Sequence, residues 1–282
     1  MIDVVLDIIR AEEQLIISAL KERFSESKIS IVNLREVAPK IGSNDYMASI
    51  AIIRPISMLN AAYAAALYEA KGSLVINSSE TIIFSGDKVL TYTRLAAHKL
   101  PLPPTLIAFA HNTARTALRE LGVPLVVKPP LGSWGRLVTR IRSARELEYV
   151  LAHREAMRTP HQKIIIMQKY VDTGNKDIRC IVIEEELVGC IERRAKQREW
   201  RSNVALGADT KPYKPTNEVE DLSLRAAAAV KGFFVSVDLF QTKDGLLVNE
   251  VNAVPEFKGF MRATGINPAR ILVEKLYQMY KK

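Results

Sequence analysis

Short apolar segments alternate with helical segments through the first 87 residues, and this alternation restricts the fold more than any other feature of the chain. Four strand candidates lie at 4–9, 28–32, 48–53 and 74–77, and two helix candidates lie at 11–24 and 58–71. Gly72 follows the second helix, where glycine commonly ends one. Strands separated by helices usually pair in parallel, so this part is predicted to be a parallel α/β unit that ends near Asp87.

The remaining sequence predicts a more antiparallel arrangement. Strand candidates lie at 105–109, 123–129, 137–141, 164–171, 177–183, 187–192, 234–240 and 245–252, and helix candidates at 88–99, 112–121, 144–154, 222–230 and 268–280. Asp244-Gly245 between the last two strands is a strong hairpin signal. We expect an α/β protein, with α+β organisation in its C-terminal part, and domains spanning 1–87, 88–162 and 163–282.

Composition excludes several classes of protein. Hydrophobic residues make up 48% and charged residues 25% of the 282 positions, which is enough apolar material for a folded core. The apolar runs are far shorter than the roughly 18 residues of a membrane span. Asp3 and Asp7 interrupt the N-terminal apolar stretch, unlike a signal peptide. A cytoplasmic enzyme or binding protein is predicted, with Cys180 and Cys190 as reduced, small apolar residues in strands.

The chain carries a net charge of +9. An excess of positive charge favours binding to a nucleic acid, a membrane surface or an acidic protein. No helix-turn-helix, zinc-finger or RNA-recognition motif is visible in the sequence, so a nucleic acid is not expected as the partner. A membrane is not expected either, because the apolar runs are short. The densest charged segment is 192–201.

Three oxygen-bearing side chains occur together in the last predicted hairpin. Glu250 and Asn252 are two positions apart on one strand and therefore share a face. Asp238 lies on the pairing strand and can face them. Carboxylate and amide oxygens are suitable ligands for Mg²⁺ shared with phosphates. The alternative is a solvated polar face, but apolar neighbours flank each acid, and an acid in such a run usually needs a partner or a metal.

A glycine-containing turn follows the buried strand that ends at Lys128. The turn spans 132–136, and its glycines let backbone N–H groups approach an anion beside the lysine charge. It lacks the Walker A pattern, so a plain hairpin turn is the alternative interpretation. Lys88 begins a predicted helix, where a solvated surface lysine is the alternative to a phosphate ligand.

These motifs occur in a specific order: Gly86-Asp87-Lys88, Val126-Val127-Lys128-Pro129 with the glycine turn, Met167-Gln168-Lys169-Tyr170-Val171, Asp177-Ile178-Arg179, Arg193-Arg194, Asn203, Val237-Asp238-Leu239-Phe240 and Val248-Asn249-Glu250-Val251-Asn252. Over essentially the whole chain, this order resembles the ATP-grasp ligases. Gly132-Ser133-Trp134-Gly135-Arg136, and Glu256-Phe257-Lys258 after Asn252, resemble the lysine/arginine-biosynthesis branch. Members of that branch join a free amino acid to the C-terminal glutamate of a small acidic amino-group carrier protein.

The resemblance implies an ATP-grasp fold and a role for each matching residue. The implied ATP-binding residues are Lys88, Lys128, Gly132, Ser133, Trp134, Gly135, Arg136, Gln168, Lys169, Tyr170, Val171, Arg179 and Asn203. The implied substrate-binding residues are Arg193, Val204, Ala205, Glu256, Phe257, Lys258, Gly259 and Phe260. Arg193 and Lys128 are the expected catalytic residues. Asp238, Glu250 and Asn252 would hold two Mg²⁺, with Glu250 bridging.

The resemblance also implies the reaction. A carrier carboxylate would attack the γ-phosphorus of ATP, and the amine of free glutamate would then attack the acyl phosphate. Gly259-Phe260 resembles the glutamate-specific branch, which serves arginine synthesis, and Phe260 is expected to shorten the pocket, although one methylene is worth only ~1–3 kcal/mol. The basic charge would attract the acidic carrier, with 193–201 as the candidate contact.

Three alternatives stay open at this stage. The chain can use α-aminoadipate in lysine synthesis, or serve both pathways. It can also be a nucleotide- or nucleic-acid-binding module without catalysis. A closed homo-oligomer is expected, as is usual for soluble enzymes.

Overall fold

A parallel sheet forms the N-terminal part of the protein. A computed structural model describes residues 1–43, 48–196 and 199–281, apart from the side chain of Ala205. The sheet has the order β2-β1-β3-β4 and contains β1 (Ile2–Leu6), β2 (Ile29–Asn33), β3 (Ile50–Ile53) and β4 (Leu74–Ile76). It packs with α1 (Ala11–Arg23), α2 (Met58–Glu69) and α3 (Ser79–Gly86). The predicted parallel α/β unit is confirmed, and α3 is an addition that begins where the Ser78 hydroxyl accepts from the Thr81 N–H.

The central sheet is antiparallel and has the order β5-β8-β6-β7. Its strands are β5 (Thr105–Ala108), β6 (Leu125–Lys128), β7 (Thr139–Ile141) and β8 (Ile165–Lys169), and its helices are α4 (Lys88–Ala97), α5 (His111–Leu121), α6 (Ala144–Glu155) and α7 (Pro160–Lys163). The sequence-based domain bounds place the strand at 164–171 in the C-terminal segment. It belongs to the central sheet instead, because β8 hydrogen-bonds to both β5 and β6.

The third sheet is antiparallel and has the order β11-β10-β9-β12-β13. Its strands are β9 (Lys176–Ile183), β10 (Glu186–Arg194), β11 (Asp209–Tyr213), β12 (Phe234–Thr242) and β13 (Gly245–Asn252). Helix α8 (Asn217–Ala229) lies between β11 and β12 in the chain, and α9 (Lys258–Thr264) and α10 (Pro268–Lys281) follow β13. Short 3-10 turns lie at Glu26–Lys28 and Val204–Leu206. β11 was not predicted, because it carries Pro212 and few apolar residues, which only an edge strand tolerates.

One hydrophobic core joins the two ends of the chain. Ile2 and Val4 of β1 belong to the same buried cluster as Phe234 of β12 and Leu272 of α10. This shared core fixes the N-terminal sheet against the third sheet, so groups at their edges are held in a defined relation. No helix in the described ranges is long and apolar enough to cross a membrane.

Cys180 and Cys190 form a disulfide, which corrects the prediction that they are reduced. They lie in strands, as predicted, and both are buried. The register of β9 and β10 places the two residues directly opposite each other. Strand register across a hairpin decides this pairing, and a sequence spacing of ten residues does not specify it.

Candidate active site

A cavity of about 210 Å³ lies where the three sheets meet. The predicted site residues on its wall are Lys88, Lys128, Gly132, Ser133, Trp134, Gly135, Arg136, Gln168, Lys169, Tyr170, Val171, Arg179, Arg193, Asn203, Val204, Asp238, Glu250, Asn252 and Glu256. They come from all parts of the chain beyond residue 87 and converge on one space. The fold therefore brings most of the predicted residues together.

Two buried lysines stand at one end of the cavity. Lys88 is the first residue of α4, and its Nζ lies 3.0 Å from Glu250 Oε1 and donates to Gly132 O at 2.8 Å. Lys128 ends β6 and donates to Gln168 Oε1 at 2.8 Å, Asn249 Oδ1 at 3.1 Å and the Tyr92 hydroxyl at 3.2 Å. Both ammonium groups are thus fixed in position before any anion binds.

The electrostatic settings of the two lysines differ. Burial alone would lower the pKa of Lys88, but the adjacent Glu250 carboxylate outweighs it and raises that pKa. Burial lowers the pKa of Lys128 to about 8, because the amides and the hydroxyl around it bring no negative charge and Glu250 compensates only partly. Lys128 is therefore the cation that gains most from an incoming anion.

The glycine turn folds over the cavity. Gly135 has φ +69°, and a Cβ added there would come within 3.1 Å of Asn203 Oδ1. Its carbonyl accepts from Arg201 Nη1 at 2.7 Å. Arg136 places its guanidinium 4.7 Å from the Trp134 ring centroid. Backbone therefore approaches the opposite wall closely, as a turn that covers a bound anion must.

The three predicted metal ligands lie side by side on β12 and β13. Asp238 and Glu250 are register partners, and Asn252 lies on the same face as Glu250. Asp238 is buried and accepts from Arg179 at 2.7 Å through each carboxylate oxygen. Burial alone would raise the pKa of Asp238, but Arg179 and Arg193 outweigh it and lower the pKa to about 2.

These ligands fit a hard cation. Glu250 is accessible from the cavity, and Asn252 Nδ2 is buried without a hydrogen-bond partner. Turning the Asn252 amide would place its oxygen at that unpartnered position, next to the carboxylates. The described residues contain no group of three His, Cys, Asp or Glu that could hold a metal, so an amide must complete the set.

Arg193 lies behind Asp238, at the centre of a buried ion cluster. Its Nε and Nη2 contact the two carboxylate oxygens of Asp177 at 2.7 and 2.5 Å, and Nη2 also contacts Asp238 at 2.8 Å. The two carboxylates outweigh burial and raise the pKa of Arg193. The structure places Arg193 on the cavity wall, but most of its donors hold protein carboxylates.

Aromatic side chains line another part of the cavity. Tyr170 meets Trp200 edge to face, with ring centroids 6.1 Å apart. The guanidinium of Arg140 lies 4.9 Å from the Tyr170 ring centroid. Gln168 connects this region to Lys128 and donates to the Thr105 hydroxyl at 2.9 Å. Flat, partly apolar surfaces of this kind suit a nucleobase.

Glu256 lies on the cavity wall, but the four predicted residues that follow it do not. Phe257 and Phe260 are 0% and 1% exposed and belong to the shared core, away from the cavity wall. Lys258 and Gly259 also lie off that wall. Phe260 packs against Gly189 in that core, a position from which its ring does not line the cavity. Apolar rings gain more from the core than from a wet cavity. Ala205 lies outside the described side chains.

Sequence reasoning missed several residues of the site. Arg10 and Ile56 reach the cavity from the N-terminal part of the chain, and Trp200 and Asn249 also lie on its wall. Asn249 directly precedes Glu250 in the sequence, so its position beside a predicted metal ligand could have indicated that it lies near the site. Arg10 and Ile56 carry no local signal, because only tertiary packing brings them to the site.

The family comparison agrees with this geometry. The model of the RimK-like ATP-grasp domain matches residues 85–276. The chain belongs to the RimK-like ATP-grasp family and is an ATP-dependent ligase. The ATP-grasp fold expected from the sequence is thereby confirmed.

Individual relatives extend the comparison. The chain is 42% identical to the glutamate–LysW ligase ArgX of Sulfurisphaera tokodaii, over 99% of this chain and 98% of the relative. It is 37% identical to the α-aminoadipate–LysW ligase LysX of Saccharolobus solfataricus, over 85% of this chain and 89% of the relative. A solved structure of the ATP-grasp ligase PsnB with minimal precursor, Mg and ADP has a TM-score of 0.71 at 19% identity, covering 98% of this chain and 96% of PsnB.

Proposed function

We propose that the protein joins the α-amino group of glutamate to the C-terminal glutamate side chain of an acidic amino-group carrier protein, in arginine (ornithine) biosynthesis. The observation that carries this proposal is the match to a glutamate–LysW ligase along nearly the full length of both chains. The converging lysines and the acid–amide set supply the groups that such a reaction needs.

The first step transfers a phosphoryl group. A carrier carboxylate oxygen attacks the γ-phosphorus of ATP, a new O–P bond forms, and the bond to the ADP oxygen breaks. Lys88 and Lys128 hold the phosphate oxygens, and the turn around Gly135 keeps water from the acyl phosphate. Positioning and charge neutralisation account for most of the catalysis in such transfers.

The second step forms the amide bond. The neutral α-amine of glutamate attacks the acyl carbonyl carbon, inorganic phosphate leaves, and the nitrogen loses a proton. Arg193 would stabilise the developing charge together with Asn203, which lies beside the turn at Gly135. No side chain needs to act as a covalent nucleophile in either step.

Asp238, Glu250 and Asn252 would hold two Mg²⁺ ions. Bound there, the ions would neutralise charge on the β- and γ-phosphates. Arg179 must then share Asp238 with a metal, since it contacts both carboxylate oxygens of that residue. Loss of ATP-dependent Mg²⁺ binding in a Glu250→Gln variant, measured by calorimetry, would support this assignment.

The acidic carrier would bind a basic face of the enzyme. The net charge of +9 motivates this step, and the segment 193–201 is the candidate contact, although 197 and 198 lie outside the described residues. We expect the KM for the carrier to rise with salt, while the KM for glutamate changes little. A KM for the carrier that is independent of salt would contradict this docking mode. Cytoplasmic location and homo-oligomer formation also remain predictions.

α-Aminoadipate is the second candidate substrate, because LysX relatives match 85% of the chain. Parallel turnover assays with purified carrier, ATP and each amino acid decide between the two. We expect glutamate to give the higher kcat/KM. Equal values would identify a bifunctional enzyme, and a preference for α-aminoadipate would overturn the glutamate assignment.

A further inference from the structure

A carboxylate-binding position lies at the N-terminal wall of the cavity. Glu256 Oε1 accepts there from Arg10 Nη1 at 3.2 Å and from Trp134 Nε1 at 3.3 Å. Arg10 precedes α1, and Trp134 lies in the glycine turn, so the two donors come from segments far apart in the chain. Together they define a place for one carboxylate oxygen.

Arg10 is rigidly held for this task. Its Nε and Nη2 donate to the two oxygens of Glu13 at 3.0 and 2.9 Å, and its backbone N–H donates to Glu13 as well. Glu13 is itself fixed from behind by the fully buried Arg54, at 2.9 Å. One edge of the Arg10 fork is thus fixed by Glu13, and the Nη1 edge faces the cavity.

Of the other arginines on the cavity wall, three are held by protein carboxylates, while Arg136 lies over the Trp134 ring. Arg193 and Arg179 hold Asp177 and Asp238. Arg201 pairs with Glu199 at 2.8 Å. These cations therefore offer less to an incoming acid than Arg10, whose cavity-side partner Glu256 has a side chain that is 32% exposed and able to turn away.

We propose that Arg10, with Trp134, binds a carboxylate of the amino-acid substrate, and that Glu256 occupies this position when the substrate is absent. The inference rests on the proposed function, since it assigns a subsite within that reaction. Glutamate carries two carboxylates, and an arginine fork with one free edge can accept one of them. Trp134 already donates to the same Glu256 oxygen that Arg10 contacts.

The test compares steady-state kinetics of Arg10→Gln and Arg10→Lys with wild type, using carrier, ATP and glutamate. For Arg10→Gln the KM for glutamate is expected to rise about 10- to 100-fold, the factor for one charge-assisted hydrogen bond. The KM for ATP should stay within about twofold, because the phosphate end is separate. Arg10→Lys keeps a charge beside buried Glu13, so it preserves the fold and should raise the KM for glutamate less.

A matched control is Arg23→Gln, which removes an exposed arginine–glutamate pair with Glu274 in the same helical region. It should leave the KM for glutamate unchanged. Glutamine and the α-amide of glutamate serve as analogues that each lack one carboxylate. The analogue that lacks the carboxylate bound by Arg10 should lose little further in Arg10→Gln, a pattern that a merely structural role would not produce.

The outcomes separate the two proposals. Wild-type enzyme without glutamate turnover would overturn the proposed function itself. Active wild type with an unchanged KM for glutamate in both Arg10 variants would overturn the subsite alone. A parallel rise in the KM for ATP and for glutamate would also overturn it, since that result indicates general damage to the site.

Discussion

Lys88 Nζ lies 3.0 Å from Glu250 Oε1, an ion pair that joins the start of α4 to β13. The same ammonium donates to Gly132 O, so it also connects the glycine turn to the acid cluster. Through this pair, the lysine proposed to bind phosphate contacts both the glycine turn and a proposed metal ligand. The charge of Glu250 therefore holds the lysine that also contacts the glycine turn.

Replacing Glu250 with glutamine is expected to lower kcat by a factor of about 10²–10³, the loss typical of removing one group that stabilises transition-state charge. The change keeps the shape of the side chain but removes the charge proposed to be shared between Lys88 and the metal ions. The measurement is ADP release with carrier and glutamate present. Glu148→Gln, in an exposed pair with Arg115, is the control and should retain full activity. Full activity in Glu250→Gln would contradict the proposed metal site.

Affinity for ATP is expected to fall as the pH rises through about 8. Burial lowers the pKa of Lys128 to about 8, so the group is a cation below that pH and a neutral amine above it. Bound phosphate favours the cation, and binding therefore weakens as the proton is lost. Equilibrium titration of ATP between about pH 7 and 9 measures the effect, and Lys128→Arg should flatten the profile because arginine stays charged. Identical pH profiles for the two proteins would count against this account.

Loss of Arg193 is expected to cost stability as well as activity. Arg193→Met leaves Asp177 and Asp238 buried without their shared cation, and breaking a buried pair in this way typically costs ~3–5 kcal/mol. Urea unfolding gives the change in the free energy of unfolding. Arg115→Gln breaks an exposed pair and should change the free energy of unfolding little, because water and salt screen surface pairs. A similar small effect at Arg193 would show that the cluster is not stabilised as the distances suggest.

Phe260 is expected to matter first for stability. Its ring is 1% exposed in the core shared by the two ends of the chain, so Phe260→Ala should lower the free energy of unfolding by ~3–5 kcal/mol. Phe260→Leu keeps most of the apolar volume and should cost less. A folded Phe260→Leu variant with the wild-type ratio of kcat/KM for glutamate and α-aminoadipate is expected. A reversed preference would show that this ring controls the pocket despite its burial.

The sequence predicted that Asp238, Glu250 and Asn252 lie side by side, because the evidence for that placement is local. Glu250 and Asn252 share a face by strand alternation alone, and the Asp244-Gly245 turn brings Asp238 opposite Glu250. The end of β6 at Lys128 and the start of α4 at Lys88 were likewise predicted from the pattern of apolar residues next to them. These features depend on residues close together in the chain.

The sequence did not predict which residues the side chains of the site contact. Arg10 and Glu256 are 246 positions apart, and their contact exists because the shared core brings the first and third sheets together. The commitment of Arg193 to Asp177 depends on the register between β9 and β10. The buried position of Phe260 follows from the docking of α9, which the sequence pattern did not predict.

The amino-acid order alone determined most element types, the antiparallel last hairpin, the acids and amide on its face and the lysines at two element ends. Periodicity and turn chemistry act over a few residues, so these features need no tertiary contact. Tertiary structure decided which cations face which acids, which aromatic rings enter the core and which N-terminal groups reach the cavity. Those outcomes depend on distances between distant segments, and such distances are fixed only when the sheets pack together and bury their apolar faces.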